Sequence, residues 1–125
     1  MSFYHTNIHY NLIVKLLSDK YGIQVRGGCA CAGTYGHYLL NVSYQDSKKI
    51  TDLINHGDLS QKPGWVRWSL HPTMTDKEIH YFINAMREII ENIDKWSQEY
   101  EYNKHTNEFD HKNFQAFDVK SWFKL

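Results

Sequence analysis

Two stretches of the chain carry apolar residues at helical spacing. The first predicts a helix that is capped by Thr6 or Asn7 and closed by Gly22. Its apolar face consists of Leu12, Ile13, Leu16, Leu17 and Tyr21. The second predicts a helix that begins at the capping box formed by Thr75 and Glu78 and extends toward Trp96 and Tyr100. Its apolar face consists of Ile79, Phe82, Ile83, Met86, Ile89, Ile90 and Ile93.

Shorter runs alternate between apolar and polar residues, which is typical of strands with one buried face. One predicted strand runs from Ile23 to Arg26 and is broken by Gly27 and Gly28. A second runs from Trp65 to Leu70 before Pro72, and residues 2–4 form the end of a third. In the second strand, the face expected to pack on the last helix consists of Val66, Trp68 and Leu70, and the opposite face of Trp65, Arg67 and Ser69.

Two shorter helices are predicted between these strands, over residues 35–42 and 47–55, the second with an apolar stripe of Ile50, Leu53 and Ile54. From Glu101 onward, scattered aromatic residues follow no period, so we expect an irregular tail. The chain is therefore predicted to form one domain over residues 1–100, with residues 101–125 packed on its surface. The fold class is α+β: two layers, with a small, mostly antiparallel sheet and helices packed on one face.

Composition narrows the possible partners and compartments. The 125 residues include 14 basic and 14 acidic side chains, so no net charge attracts nucleic acid or an acidic membrane. No apolar run is long enough to span a bilayer, and the N-terminal residues lack the pattern of a signal peptide. Cys29 and Cys31, at a spacing of two, are poorly placed to pair with each other. We expect a cytoplasmic protein with reduced thiols, no nucleic-acid partner and no membrane partner.

The two cysteines lie in a glycine-rich loop between a predicted strand and a predicted helix that Thr34 can cap. A helix start favours thiolate, so we expect the pKa of Cys31 to lie below the ~8.5 of an ordinary thiol. The alternative is a small buried side chain, which is common for free cysteine. A metal site formed by Cys29, Cys31 and His37 is weakly indicated, because structural zinc prefers four ligands in paired spacings.

Three motifs resemble those of one enzyme family. The segments VRGGCACAG, GTYGHYLL and KPGWVRWSLHPTMT look like the C-terminal small domain of class V aminotransferase-like enzymes, which depend on pyridoxal phosphate. Cysteine desulfurases and selenocysteine lyases belong to this family. The resemblance runs from about Thr6 to about Glu91, and the motifs occur in the family's order with a helix between them.

The resemblance implies roles for three residues. Cys31 occupies the position of the catalytic cysteine, whose thiolate attacks the sulfur of a cofactor-bound cysteine and leaves alanine and a persulfide on the enzyme. Arg67 occupies the position that binds the α-carboxylate of the amino-acid substrate, and Arg26 lines the same cleft or braces the loop. Desulfurases of this group often carry histidines before the catalytic cysteine, whereas this chain has Cys29 and Ala30. Desulfuration, transamination and racemisation therefore all remain open.

The resemblance also implies a partner domain. In the family, a large domain supplies the lysine that binds pyridoxal phosphate and the phosphate-binding loop, and full-length members are typically homodimers. His111 and Lys112 lack the flanking residues of the cofactor-lysine motif. We therefore expect this chain alone to bind no pyridoxal phosphate and to be inactive. Two alternatives remain, a free-standing interaction module without catalysis and a small thiol or metal-binding protein.

Overall fold

The computed structural model describes residues 1–29 and 33–114 and has the predicted α+β architecture. A small antiparallel sheet is covered on one face by helices, and a separate hairpin follows the last helix. The strands are β1 (Ser2–Phe3), β2 (Arg26–Gly28), β3 (Trp65–Arg67), β4 (Tyr100–Asn103) and β5 (Glu108–His111). The helices are α1 (Tyr10–Tyr21), α2 (Gly33–Leu39), α3 (Tyr44–Asn55), α4 (Asp76–Glu91) and α5 (Ile93–Trp96), followed by a 3-10 helix (Ser97–Glu99). None of the helices in this described part is long and apolar enough to cross a membrane.

The main sheet has the order β1-β3-β2, with β3 antiparallel to both neighbours. Val66 is fully buried at the centre of the sheet, where its register partners are Phe3 and Gly27. Because side chains alternate along a strand, Val66 and Arg67 point to opposite faces. The face that carries Val66 packs against α1 and α4. The core consists of Ile8, Tyr10, Leu12, Ile13, Leu16, Leu17, Val66, Trp68, Phe82, Ala85, Ile89 and Tyr100.

The capping box and the start of α4 are confirmed. The Thr75 hydroxyl accepts a hydrogen bond from the Glu78 amide, and the Glu78 carboxylate accepts one from the Thr75 amide at 2.7 Å. Phe82 then stacks on Trp68 with ring centroids 3.7 Å apart. The apolar stripe of α4 is wider than the surface available to cover it, so Ile83 and Ile90 are exposed.

The prediction that Leu70 packs on α4 is wrong, because β3 ends at Arg67 and the alternation does not continue. Trp68 keeps its buried position, since its amide and carbonyl bond to Met1 at the end of β1. Leu70, beyond the last paired residue, is 48% exposed.

The predicted strand over residues 23–26 is displaced toward the two glycines, which belong to β2 instead of breaking it. Gly27 pairs with Val66 and faces α1, where an added Cβ would lie 3.0 Å from Val14 Cγ2. Gly28 has φ of +107°, a conformation that side chains rarely adopt. Gly27 therefore allows α1 to approach β2 closely.

The predicted start of α1 is also wrong, whereas its end is confirmed. The cap is His9, whose Nδ1 accepts a hydrogen bond from the Asn11 amide at 3.2 Å, and neither Thr6 nor Asn7 takes this role. Gly22 closes the helix at φ of +65°, with its amide bonded to the Ser18 carbonyl.

The helices α2 and α3 differ from prediction at their ends. Thr34 lies inside the first turn of α2 instead of capping it. α2 ends at Leu39, before the predicted Val42, and Asn41 follows in a turn with φ of +54°. α3 starts earlier than predicted, because the Ser43 hydroxyl caps it by accepting from the Asp46 amide. Its predicted apolar stripe, Ile50, Leu53 and Ile54, contains no buried residue.

The expectation of an irregular tail is wrong for residues 101–111. β4 and β5 form an antiparallel hairpin in which Tyr102 is opposite Phe109, and β5 packs on α1. The signal that was missed is the alternation of aromatic and polar residues in both strands, which matches their alternating burial. Residues 115–125, the rest of the predicted tail, lie outside the described residues.

Candidate functional site

Arg26 and Arg67 lie directly opposite each other in β2 and β3. Their side chains project from the sheet face that α1 and α4 do not cover, because the neighbouring pair, Gly27 and Val66, faces those helices. Cβ atoms of directly opposed residues in an antiparallel pair are about 4.5–5.5 Å apart. Arg26 is exposed and Arg67 is half-buried. Two guanidinium groups are thus concentrated on one small area of the sheet.

Neither arginine forms an ion pair within the part of the chain that the structure describes. The salt bridges found there involve lysines and one histidine: Lys15–Asp19, Lys20–Glu99, Lys49–Asp46, Lys104–Asp58 and His111–Glu99. Like charges placed directly opposite each other are destabilising, and a bound anion relieves that repulsion. A guanidinium group also presents a planar fork of N–H donors that matches a carboxylate. The pair is therefore well suited to bind a carboxylate.

A shallow groove of about 210 Å³ lies beside β1 and β3, and neither arginine is among the described residues that line it. It is lined by Ser2, Phe3, Tyr4, Leu39, Leu40 and Trp65. Ser2, which lines the groove, is opposite Arg67 on the side away from Arg26. The groove therefore begins next to the position of Arg67 in β3. The sequence alone does not indicate these lining residues. Their proximity depends on the register of β1 against β3 and on the position of α2.

Cys29 is a buried thiol held by its surroundings. Its Sγ donates a hydrogen bond to the Pro63 carbonyl at 2.7 Å, and an added Cβ at Gly36 would lie 2.9 Å from that sulfur. Burial raises the pKa of the Cys29 thiol, although the nearby Lys62 ammonium acts in the opposite direction. Cys29 therefore fits a structural role. Cys31, the predicted nucleophile, lies outside the described residues.

His37 joins α2 to α3 instead of approaching Cys29. Its Nδ1 is 2.6 Å from the Ser47 hydroxyl, while Cys29 is bonded to Pro63. Within residues 1–29 and 33–114, no three His, Cys, Asp or Glu side chains are grouped closely enough to hold a metal ion. Lys112 donates to the Gln98 carbonyl at 2.6 Å and thus ties β5 to the end of the helical segment.

No family model, curated protein or solved structure matches the chain.

Proposed function

We propose that the chain is the small domain of an enzyme acting on an amino acid, with Arg67 binding the substrate carboxylate and Arg26 assisting it. More particularly, we propose a class V aminotransferase-like enzyme resembling cysteine desulfurases and selenocysteine lyases, located in the cytoplasm. The observation that carries the proposal is the register of β2 against β3, which sets Arg26 opposite Arg67 on the sheet face that α1 and α4 do not cover. The family motifs at both arginines support the same assignment.

Pyridoxal phosphate would come from a separate large domain. A lysine that binds this cofactor needs a lowered pKa and a pocket that also grips the phosphate. The described lysines do not fit this requirement, because each is at least partly exposed and several are paired on the surface, such as Lys15 with Asp19 and Lys20 with Glu99. The small domain would contribute the carboxylate clamp and close over the substrate.

The proposed role of Cys31 is that of the sulfur-accepting nucleophile. It stands two residues after Cys29 and two before Gly33, the first residue of α2. Because Cys29 is anchored to Pro63, the loop leaves the sheet from a fixed point. Cysteine or selenocysteine is the proposed substrate on the basis of the family resemblance.

Carboxylate binding tests the role of Arg67. We expect L-alanine to shift the amide resonances of residues 26–28 and 65–67 in the full chain, and alaninamide, which lacks the carboxylate, to leave them unchanged. Arg67→Gln should weaken alanine binding by about 10- to 100-fold, the effect of removing a charge-assisted hydrogen bond. The control is Arg87→Gln on the exposed face of α4. Equal binding of alanine and alaninamide, or unchanged binding by Arg67→Gln, would contradict the proposal.

A second experiment tests the assignment of the cofactor to another domain. The chain is mixed with pyridoxal phosphate and borohydride, and we expect mass spectrometry to show no stoichiometric pyridoxyl-lysine product. Cysteine added before reduction should give no alanine. A single modified lysine together with alanine release would show that the chain is a complete small enzyme.

The surface of α2 and α3 favours a second candidate function, that of an interaction module. Tyr38 and Tyr44 are 79% and 87% exposed, and Tyr35 stacks on Tyr38 at 6.3 Å. Exposed aromatic residues in this density are typical of protein-binding surfaces. If this surface forms a homodimer, light scattering should give twice the chain mass and Tyr38→Asp should restore the monomer. A monomer at millimolar concentration would remove the homodimer form of this candidate.

A further inference from the structure

We propose that the groove beside Arg67 binds the apolar side chain of the carboxylate ligand. The site would then bind carboxylates with a longer apolar tail more tightly than acetate. This inference rests on the proposed function, because it requires Arg67 to hold the carboxylate end of the same molecule.

The positions of Trp65, Arg67 and Ser2 place the two parts of the site side by side. Trp65 and Arg67 are two residues apart in β3, so they lie on the same face at a separation of about 7 Å. Ser2 is opposite Arg67 and also lines the groove. A molecule whose carboxylate meets Arg67 can therefore extend its next few carbon atoms toward Trp65.

The far wall of the groove comes from Leu39 and Leu40 at the end of α2. The position of α2 is fixed at Gly36, where an added Cβ would lie 3.3 Å from the Trp65 ring and 2.9 Å from Cys29 Sγ. Leu39 nevertheless remains 53% exposed. The groove thus offers an apolar wall to solvent beside a positively charged position, which matches a ligand with one anionic and one apolar end.

The size and charge of the groove restrict which ligands it can bind. Its volume of about 210 Å³ is below the roughly 300–1,000 Å³ of sites for drug-sized ligands, so it fits a single side chain. None of its described lining residues carries a charge, and the Ser2 hydroxyl is the polar side chain next to Arg67. A second carboxylate or an ammonium group in the tail would have no counter-charge within this lining.

A series of simple carboxylates tests the inference on the full chain. Acetate, butanoate and hexanoate are titrated by NMR, and we expect each added methylene to tighten binding about two- to fourfold. Leu39→Gln should abolish the gain with chain length. Leu53→Gln, a partly exposed leucine on α3 outside the groove, is the matched control and should keep the full gain.

The outcomes separate this inference from the proposed function. Equal affinity for all three carboxylates, with loss of binding in Arg67→Gln, would overturn the groove assignment and leave carboxylate binding by Arg67 intact. Failure of all three to bind would overturn both. Hexanol binding as tightly as hexanoate would also contradict the inference, because the tail would then be held without the carboxylate.

Discussion

Burial makes the Cys29 thiol less reactive than the thiol expected at the neighbouring Cys31. The Cys29 thiol is bonded to the Pro63 carbonyl and covered by α2 at Gly36. Its raised pKa means that little thiolate forms at neutral pH, and thiolate is the nucleophilic form. The sequence places both thiols in one loop, but only the packing of residues 36 and 63 shows that the first of them is structural.

Alkylation rates of single-cysteine variants should therefore differ. We expect Cys31→Ser, which retains Cys29, to react with iodoacetamide at least tenfold more slowly at pH 7.5 than Cys29→Ser. Both variants should react at the same rate in urea, where the surroundings of each thiol are lost. Equal rates in the folded state would remove both the protected role of Cys29 and the nucleophile assignment of Cys31.

His9 caps α1 only while it is neutral. Its Nδ1 accepts the Asn11 amide, its ring stacks on Tyr10 at 4.5 Å and lies 5.2–5.3 Å from Tyr102 and Phe109, and its Nε2 has no hydrogen-bond partner among the described residues. Protonation would turn the accepting nitrogen into a donor and place positive charge at a helix start. Burial lowers the pKa of His9 below its ordinary value of 6.5.

This lowered pKa predicts weaker folding in acid. Below pH ~6.5 the His9 side chain binds a proton in the unfolded chain but not in the folded chain. The free energy of unfolding therefore decreases as the pH is lowered, down to the pKa of folded His9. The slope from this one group is at most about 1.4 kcal/mol per pH unit. Urea unfolding from pH 8 to pH 5 should show less pH dependence in His9→Asn, whose side chain also caps helices, than in the wild type. His80→Gln on α4 should retain the wild-type dependence, and an unchanged profile in His9→Asn would contradict the assignment.

At the scale of elements, the sequence predicts helices better than strands. The α4 capping box and Gly22 are local signals that carry their own hydrogen-bond partners, and both are confirmed. Strand limits depend on the partner strand, so neither the shift of β2 onto Gly27 and Gly28 nor the early end of β3 could be read locally. α3 shows what a helical pattern cannot predict. Its apolar stripe indicates a helix but does not indicate whether another element covers that stripe.

The same reasoning applies to the candidate site. The sequence motifs point to Arg26 and Arg67 separately, whereas their direct opposition, across 41 positions of sequence, depends on the strand register. The groove was not predictable, because Ser2, Leu39 and Trp65 come from three different elements.

A buried asparagine fastens the hairpin to α1. Asn107, with φ of +60°, donates from Nδ2 to the Tyr10 hydroxyl at 2.7 Å, and its Oδ1 accepts from the Tyr102 hydroxyl at 2.9 Å. Its backbone carbonyl accepts from the Asn11 side chain. The bonds to Tyr10 and Asn11 link residues almost 100 positions apart, so they hold the hairpin against the domain.

Removing this side chain should loosen the hairpin. We expect Asn107→Gly, which tolerates the positive φ, to lower the free energy of unfolding by about 1–3 kcal/mol, since the buried Tyr10 hydroxyl and the half-buried Tyr102 hydroxyl lose their partner. Amide hydrogen exchange at Glu101 and Asp110, opposite each other in the hairpin, should accelerate as well. The exposed Asn113→Gly is the control. Unchanged stability in Asn107→Gly would mean that the network does not fasten the hairpin.

For the whole molecule, the numbers of basic and acidic side chains are equal, so repulsion between Arg26 and Arg67 would be a local effect and not part of a general charge repulsion. With 14 basic and 14 acidic side chains, the chain has no large net field of its own. The strand register holds the backbone positions of Arg26 and Arg67 directly opposite each other in the folded state. Like charges at directly opposed positions of an antiparallel pair are destabilising.

Replacing one member of the pair should therefore stabilise the chain while weakening carboxylate binding. We expect Arg26→Gln to raise the free energy of unfolding by about 0.2–1 kcal/mol at low salt, with the gain shrinking toward 1 M salt as the charges are screened. Arg87→Gln changes the net charge by the same amount on an exposed helix position away from the pair, so it separates the local effect from the global one. Urea unfolding of both variants at 10 mM and 1 M NaCl measures the difference. If Arg26→Gln destabilises the chain, or matches Arg87→Gln at both salt concentrations, the two guanidinium groups do not repel each other and the basis for an anion site between them is lost.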